Sequence, residues 1–147
     1  MPAPVIEMKN VNKWYGDFHV LRDVNLDVAA GERIVICGPS GSGKSTTALA
    51  VMRLSLITSG AVLLGDTDVT GLGGEALRNV RRRMQIIFQD PYSALNPRVR
   101  AGEAVRAPLD LMNVGSKSER EERVDELFVQ VGLRPEQKHL FPHQFSG

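Results

Sequence analysis

The segment Gly38-Pro39-Ser40-Gly41-Ser42-Gly43-Lys44-Ser45-Thr46 fits the pattern G-x-x-x-x-G-K-[ST] without a mismatch. It lies between an apolar run, Arg33-Ile34-Val35-Ile36-Cys37, and a helix-forming run, Thr46 to Leu54. That order constrains the fold to strand, tight loop, helix. Glycines let the loop backbone curl so that several N–H groups face one anionic chain, and the following helix adds the positive end of its dipole. Lys44 would bring a full charge to the β- and γ-phosphates of a nucleotide, and the Ser45 hydroxyl would reach Mg²⁺. The plainer alternative is a glycine-rich turn ahead of a helix; the strand–loop–helix context argues against it.

Composition narrows the class. The 147 residues suit about one domain, and 42% hydrophobic residues suffice for a core. A formal net charge of +1 gives no electrostatic case for nucleic acid or an anionic membrane. The single cysteine, Cys37, excludes an internal disulfide and fits a reducing compartment. Its place at the end of an apolar run reads as a small core hydrophobe. The sequence holds no run of about 18 apolar residues, and Met1 to Asn10 lacks the apolar core of a signal peptide. The expected location is the cytoplasm, with attachment to a membrane through a partner.

The remaining pattern predicts an antiparallel opening followed by α/β structure. Val5 to Met8 and Val24 to Val28 alternate apolar and polar residues, as half-buried strands do, with a turn at Trp14-Tyr15-Gly16-Asp17. Ile34 to Cys37 and Met84 to Phe88 read as central strands covered on both faces. Thr58-Ser59-Gly60 reads as a turn before a short strand, Ala61 to Gly65, and a helix is expected over Glu75 to Arg83. Arg81-Arg82-Arg83 reads either as an anion site or as a solvated helix end. Beyond a boundary near Gln89 to Pro91, a helix over Ala101 to Met112 is expected to break at Pro108. Ser118-Glu119-Arg120-Glu121 predicts a capping box. Val124, Leu127, Phe128 and Val131 then form one apolar helix face, ended by Gly132. His139 and His143 are given no ligand role.

Four separated segments together resemble the ATP-binding subunits of ABC transporters. Trp14-Tyr15-Gly16 is similar to that family's aromatic loop, Gly38 to Thr46 is the phosphate loop, Gln89 looks like the glutamine loop, and Phe145-Ser146-Gly147 looks like the opening of the signature sequence. The resemblance covers essentially the whole chain and implies an α/β P-loop NTPase fold. It would carry an N-terminal antiparallel β-subdomain and the start of a helical subdomain, divided as residues 1–90 and 91–147. It implies that Tyr15 stacks on adenine, and that Gly38, Ser40, Gly41, Ser42, Gly43, Lys44, Ser45 and Thr46 hold the phosphates of ATP. Ser45 and Gln89 would serve Mg²⁺, with Lys44 and Gln89 acting in catalysis. Ser146 and Gly147 would close over a nucleotide held by a second subunit in a head-to-tail dimer. Taken without the resemblance, Tyr15 could cap a hydrophobic patch and Gln89 could be an ordinary polar residue at a strand end.

Within the family the chain is mixed. The stretch from Asn12-Lys13-Trp14-Tyr15-Gly16 through Ile36-Cys37-Gly38 resembles polar amino-acid importers. Met52-Arg53-Leu54, Arg81 to Tyr92, Leu95-Asn96-Pro97-Arg98 and Phe141 to Gly147 resemble di- and oligopeptide importers. Residues 91–112 are the segment that would meet a membrane permease, here of the peptide type. Ile57 and Val99-Arg100-Ala101 depart from the family pattern at surface loops. Family members continue past the signature with a strand ending in Asp-Glu and a later switch histidine, and the sequence does not reach them. The resemblance therefore implies transport-coupled ATP hydrolysis for a complete member and nucleotide binding without turnover for this chain. A P-loop kinase would leave Trp14-Tyr15 and Phe145-Ser146-Gly147 without a purpose. Soluble ATPases of the same family usually pair two cassettes or carry large insertions.

Overall fold

Antiparallel pairing dominates the first half of the computed structural model, which describes residues 3–145. Strands β1 (Ile6–Tyr15), β2 (Phe18–Val28), β3 (Ser59–Leu64) and β4 (Thr67–Asp68) form one sheet in the order β2-β1-β3-β4. With helices α1 (Lys44–Val51) and α2 (Gly74–Arg81) they belong to a compact unit, Met1–Ile86. A second unit, Ile87–Gly147, is helical: α3 (Pro91–Ala94), α4 (Ala101–Leu111), α5 (Lys117–Gln130) and two 3₁₀ turns, Pro135–His139 and Pro142–Phe145.

The β1–β2 hairpin shows how local chemistry sets a core. Met8 and Val11 are both buried although they stand three apart, which strict alternation would place on opposite faces. A bulge resolves this. Met8 pairs with Leu26 and Val11 with Val24, so β1 carries one extra residue between them. Asn10 takes the left-handed conformation there, at φ 48°, and Asp23 does the same on β2 at φ 46°. Asn and Asp tolerate that region better than other side chains. Neighbouring amides satisfy the displaced backbone groups: the Asn10 N–H donates to Asn25 Oδ1 at 2.9 Å and the Asp23 N–H donates to Asn12 Oδ1 at 3.1 Å. The reset parity sends Met8, Val11, Leu21, Val62, Leu64 and Val69 into one apolar core, which Ala50 of α1 completes.

The bulge also explains Gly60. Read as part of a turn, it instead lies within β3 at φ +93°, and a Cβ there would stand 2.4 Å from the Asn10 carbonyl oxygen. Glycine permits the strands to meet where the bulge pushes β1 outward.

Neither expected central strand forms. Residues 32–38 and 84–88 run without regular structure, Val35 is 83% exposed and Ile87 is 94% exposed. A strand exists through its ladder, and an apolar composition does not supply a neighbour. Cys37 is consequently exposed rather than a core residue. Arg81 also departs from both of its readings: its guanidinium donates to the carbonyls of Arg53 at 2.7 Å and Met52 at 3.4 Å, just beyond the end of α1. A cation there complements the negative end of the helix dipole.

In the helical unit α4 runs through Pro108 without breaking, and the Pro108 carbonyl accepts from Met112 N–H at 3.0 Å. The capping box of α5 is Ser116 with Glu119, two residues earlier than expected. Ser116 Oγ accepts from Glu119 N–H at 3.3 Å, and Ser116 N–H donates to the Glu119 carboxylate at 2.6 Å. Those contacts hold the Glu119 carboxyl below its ordinary value. Glu121, expected in that role, instead receives Arg106 of α4. Val124 and Phe128 are buried, whereas Val131, the C-cap, is 71% exposed because its backbone has left the helix. Gly132, at φ 79°, turns the chain, with Leu133 N–H bonded to the Phe128 carbonyl and Gly132 N–H to that of Val129, a Schellman closure.

Candidate functional site

The glycine loop delivers the start of α1 to an open surface. Gly41 and Gly43 are left-handed, at φ 80° and 91°, a conformation costly for a residue with a Cβ. Gly43 has a further constraint: a Cβ there would lie 2.9 Å from Leu21 Cδ2 and 3.3 Å from the Val20 carbonyl oxygen of β2. The loop can thus approach the sheet only as glycine. A Cβ on Gly38 would meet Ser42 Oγ at 2.7 Å, so the two ends of the loop also close on each other.

At the first turn of α1 no side chain caps the helix. Its first bond runs from Thr47 N–H to the Gly43 carbonyl at 2.8 Å, and the buried Thr47 hydroxyl donates to the same oxygen at 2.9 Å. The N–H groups of Lys44, Ser45 and Thr46 have no acceptor within the helix, which is the arrangement that attracts an anion. Lys44 folds back over the loop, its ammonium donating to the carbonyls of Gly38 at 2.9 Å and Pro39 at 2.7 Å and to Ser42 Oγ at 3.3 Å. Ser40 and Ser45 are exposed and Thr46 is half-buried. A cavity of about 530 Å³ opens beside the loop, lined by Leu21, Gly38, Ser42, Gly43, Lys44 and Thr47 among others.

Tyr15 ends β1, opposite Phe18. Phe18 and Val20 stand two positions apart, roughly 7 Å along a strand, and Val20 packs on Gly43. The aromatic tip therefore lies a short way along β2 from the residue that meets the glycine loop. The Tyr15 hydroxyl shares a hydrogen bond with Ser55 Oγ at 3.3 Å, and the Lys13 ammonium sits 4.7 Å from its ring centroid. Beside it, Trp14 stacks on His19 with centroids 3.9 Å apart. Sequence reasoning passed over Lys13 and Ser55. Lys13 was within reach of it, since residues two apart on a strand share a face.

Gln89 lies in the helical unit, exposed, in a stretch without regular structure. Ser146 and Gly147 fall outside the described residues. Among the described residues, no group of three or more His, Cys, Asp or Glu could hold a metal ion, and no helix is long and apolar enough to cross a membrane. The helical unit carries its own apolar groove of about 570 Å³, lined by Leu95, Ala104, Val105, Leu127, Phe128 and Phe145 among others.

Comparison with known proteins follows the same outline. A family model described as "ABC transporter" matches residues 21–147. A probable peptide ABC transporter ATP-binding protein of Sinorhizobium fredii is 45% identical over 127 residues, covering 86% of this chain and 36% of that protein. A putative peptide import ATP-binding protein of Brucella ovis is 37% identical over 149 residues, covering 99% of this chain and 47% of that protein. The chain thus spans less than half the length of these relatives. Among solved structures, the dimeric post-hydrolysis state of the ATP-binding cassette MJ0796 bound to ADP and Pi aligns with a TM-score of 0.79 at 33% identity. That alignment covers 96% of this chain and 63% of the solved one.

Proposed function

The chain belongs to the ABC transporter family, with the α/β P-loop NTPase core that this family shares, and on that premise we propose that it binds MgATP through Gly38 to Thr46. The observation that carries this reading is the left-handed pair Gly41 and Gly43 leading into an uncapped α1 with Lys44 folded over the loop. Lys44 neutralises β- and γ-phosphate charge, the loop N–H groups orient the chain of phosphates, and Tyr15 stacks on the base. Ser45 would hold Mg²⁺, and Gln89 is the second donor that the family resemblance implies. Mg²⁺ bound there would need few protein donors and would supply neutralisation of the phosphate charge. Bound MgATP supplies the phosphoryl group and the charge neutralisation that phosphoryl transfer depends on.

In this reading residues 1–90 form the nucleotide-binding core and residues 91–147 the helical subdomain, a functional division a few residues beyond the boundary of the compact units after Ile86. The complete protein hydrolyses ATP at the inner face of a cytoplasmic membrane as a head-to-tail dimer, with Ser146 and Gly147 facing the partner's nucleotide. It drives import of short peptides or amino acids; the peptide names of the relatives support the former. Residues 91–112 contact the permease, a reading supported by Leu95, Ala104 and Val105 lining the apolar groove.

Calorimetric titration of MgATP into the 147-residue chain tests the site. Lys44→Ala should weaken binding at least about tenfold, since a charge-assisted contact contributes more than a neutral one. Unchanged affinity would refute the assignment. Phosphate release measured beside it separates binding from turnover. Co-purification with an amino-acid permease in place of a peptide permease would overturn the partner class.

A further inference from the structure

We propose that Lys13 is a positioning residue for the nucleotide base, holding the Tyr15 ring ready to stack; the proposal rests on the reading of Tyr15 just given. Lys13 and Tyr15 stand two apart on β1 and share a face. The Lys13 ammonium lies 4.7 Å from the Tyr15 centroid and also donates to the Leu56 carbonyl at 2.5 Å. The Tyr15 hydroxyl meets Ser55 Oγ at 3.3 Å, and Ser55 N–H is itself bonded to the Leu49 carbonyl of α1 at 3.1 Å. One residue earlier, Trp14 N–H donates to Thr58 Oγ1 at 3.0 Å.

The ring is therefore pinned at its hydroxyl edge and on one face, against the segment that leaves α1. Tyr15 is nevertheless 53% exposed. The ring thus keeps open surface beside its contact with the ammonium, and a purine stacking on Tyr15 would use it. Two consequences follow. A ring already fixed loses less rotamer freedom when a base arrives. A cation on the far face draws on the ring's π density, so the Lys13–Tyr15 pair and the base form one stack rather than two separate contacts. Phosphates gain nothing from this arrangement, which makes the effect specific to the base.

The test compares MgATP with inorganic tripolyphosphate, which has no base, by calorimetry on the full chain. Lys13→Met should weaken ATP binding about two- to fivefold, the size of an exposed cation–π contact, and leave tripolyphosphate unchanged. Lys13→Arg, which keeps a cation able to lie over the ring, should restore ATP affinity. Emission from Trp14, the chain's one tryptophan, checks that the hairpin is intact in each variant. Equal weakening of both ligands would overturn the proposal, since Lys13 would then act as a surface charge. So would an unchanged ATP affinity in Lys13→Met beside a loss confined to ATP in Tyr15→Ala. If Tyr15→Ala leaves ATP affinity intact, the stacking reading itself fails and this proposal with it, while Lys44→Ala still reports on the phosphate loop.

Discussion

The two units are held by different means. In Met1–Ile86 a continuous apolar core joins three strands and α1, and polar side chains repair the bulges at Asn10 and Asp23. In Ile87–Gly147 the buried hydrophobic side chains are Val124 and Phe128 among the described residues, and charges link the elements. Arg106 of α4 reaches Asp110 and Glu121, Arg120 of α5 reaches Asp110 at 2.9 Å, and Lys138 of the first 3₁₀ turn reaches Asp125 at 2.6 Å. Apolar burial is indifferent to pH and strengthened by many salts, whereas exposed ion pairs are weakened by both acid and salt. One chain therefore contains two regions that should respond in opposite directions to added salt, and of which only one should respond to acid.

The sharpest way to break this contrast is to empty the apolar core. Met8→Ala should cost about 2–5 kcal/mol, read as a lowered urea midpoint. A loss under about 0.5 kcal/mol would mean that the β-rich unit is not core-held, because changes of that size are typical of surface sites. Next comes Gly102→Ala in α4, whose Cβ would stand 2.8 Å from Lys138 Cβ and 3.0 Å from the Lys138 carbonyl oxygen. Forcing that contact apart should cost about 1–3 kcal/mol by overpacking, seen as loss of helical ellipticity. Ser116→Ala should cost about 1 kcal/mol through the lost cap of α5, while Ser118→Ala, on the pattern that sequence alone favoured, should change little. The smallest effect is acidification. Glu119 lies below its ordinary 4.5 through the Ser116 cap, and Asp110 lies below 3.8 through Arg120 and then Arg106. A depressed carboxyl lends stability above its unfolded value and loses it as pH falls through the folded one. Helical signal should therefore begin to decline below about pH 4.5, and sooner in high salt, while the β-sheet signal holds.

Much of this was legible from residue order. The loop Gly38 to Thr46, the helix behind it, the hairpin around Gly16 and the left-handed stop at Gly132 each rest on short-range rules, and the structure follows those rules. What sequence missed depends on partners distant in the chain. Periodicity cannot announce that Asn10 resets the parity of β1, since the signal is the conformation of one residue. It placed strands at Ile34 to Cys37 and Met84 to Phe88 because composition records a preference for burial and not the presence of a ladder. It placed the capping box at Ser118 because Ser116-x-x-Glu119 and Ser118-x-x-Glu121 satisfy the same pattern, and the pairing of Glu121 with Arg106 of another helix is invisible to that pattern. The same distance hides Ser55 from a reading of Tyr15.

Lys44 carries one consequence of a different kind. Its three ammonium protons are directed at the Gly38 and Pro39 carbonyls and the Ser42 hydroxyl. A phosphate oxygen that takes this lysine does so by substitution, because an ammonium offers three donors and no more. The hydrogen-bond tally is then the same before and after, and the gain lies in exchanging neutral acceptors for anionic ones. Discrimination among ligands at this position would follow the charge on the incoming oxygen, and the speed of capture would include the time the lysine needs to let go of its own loop.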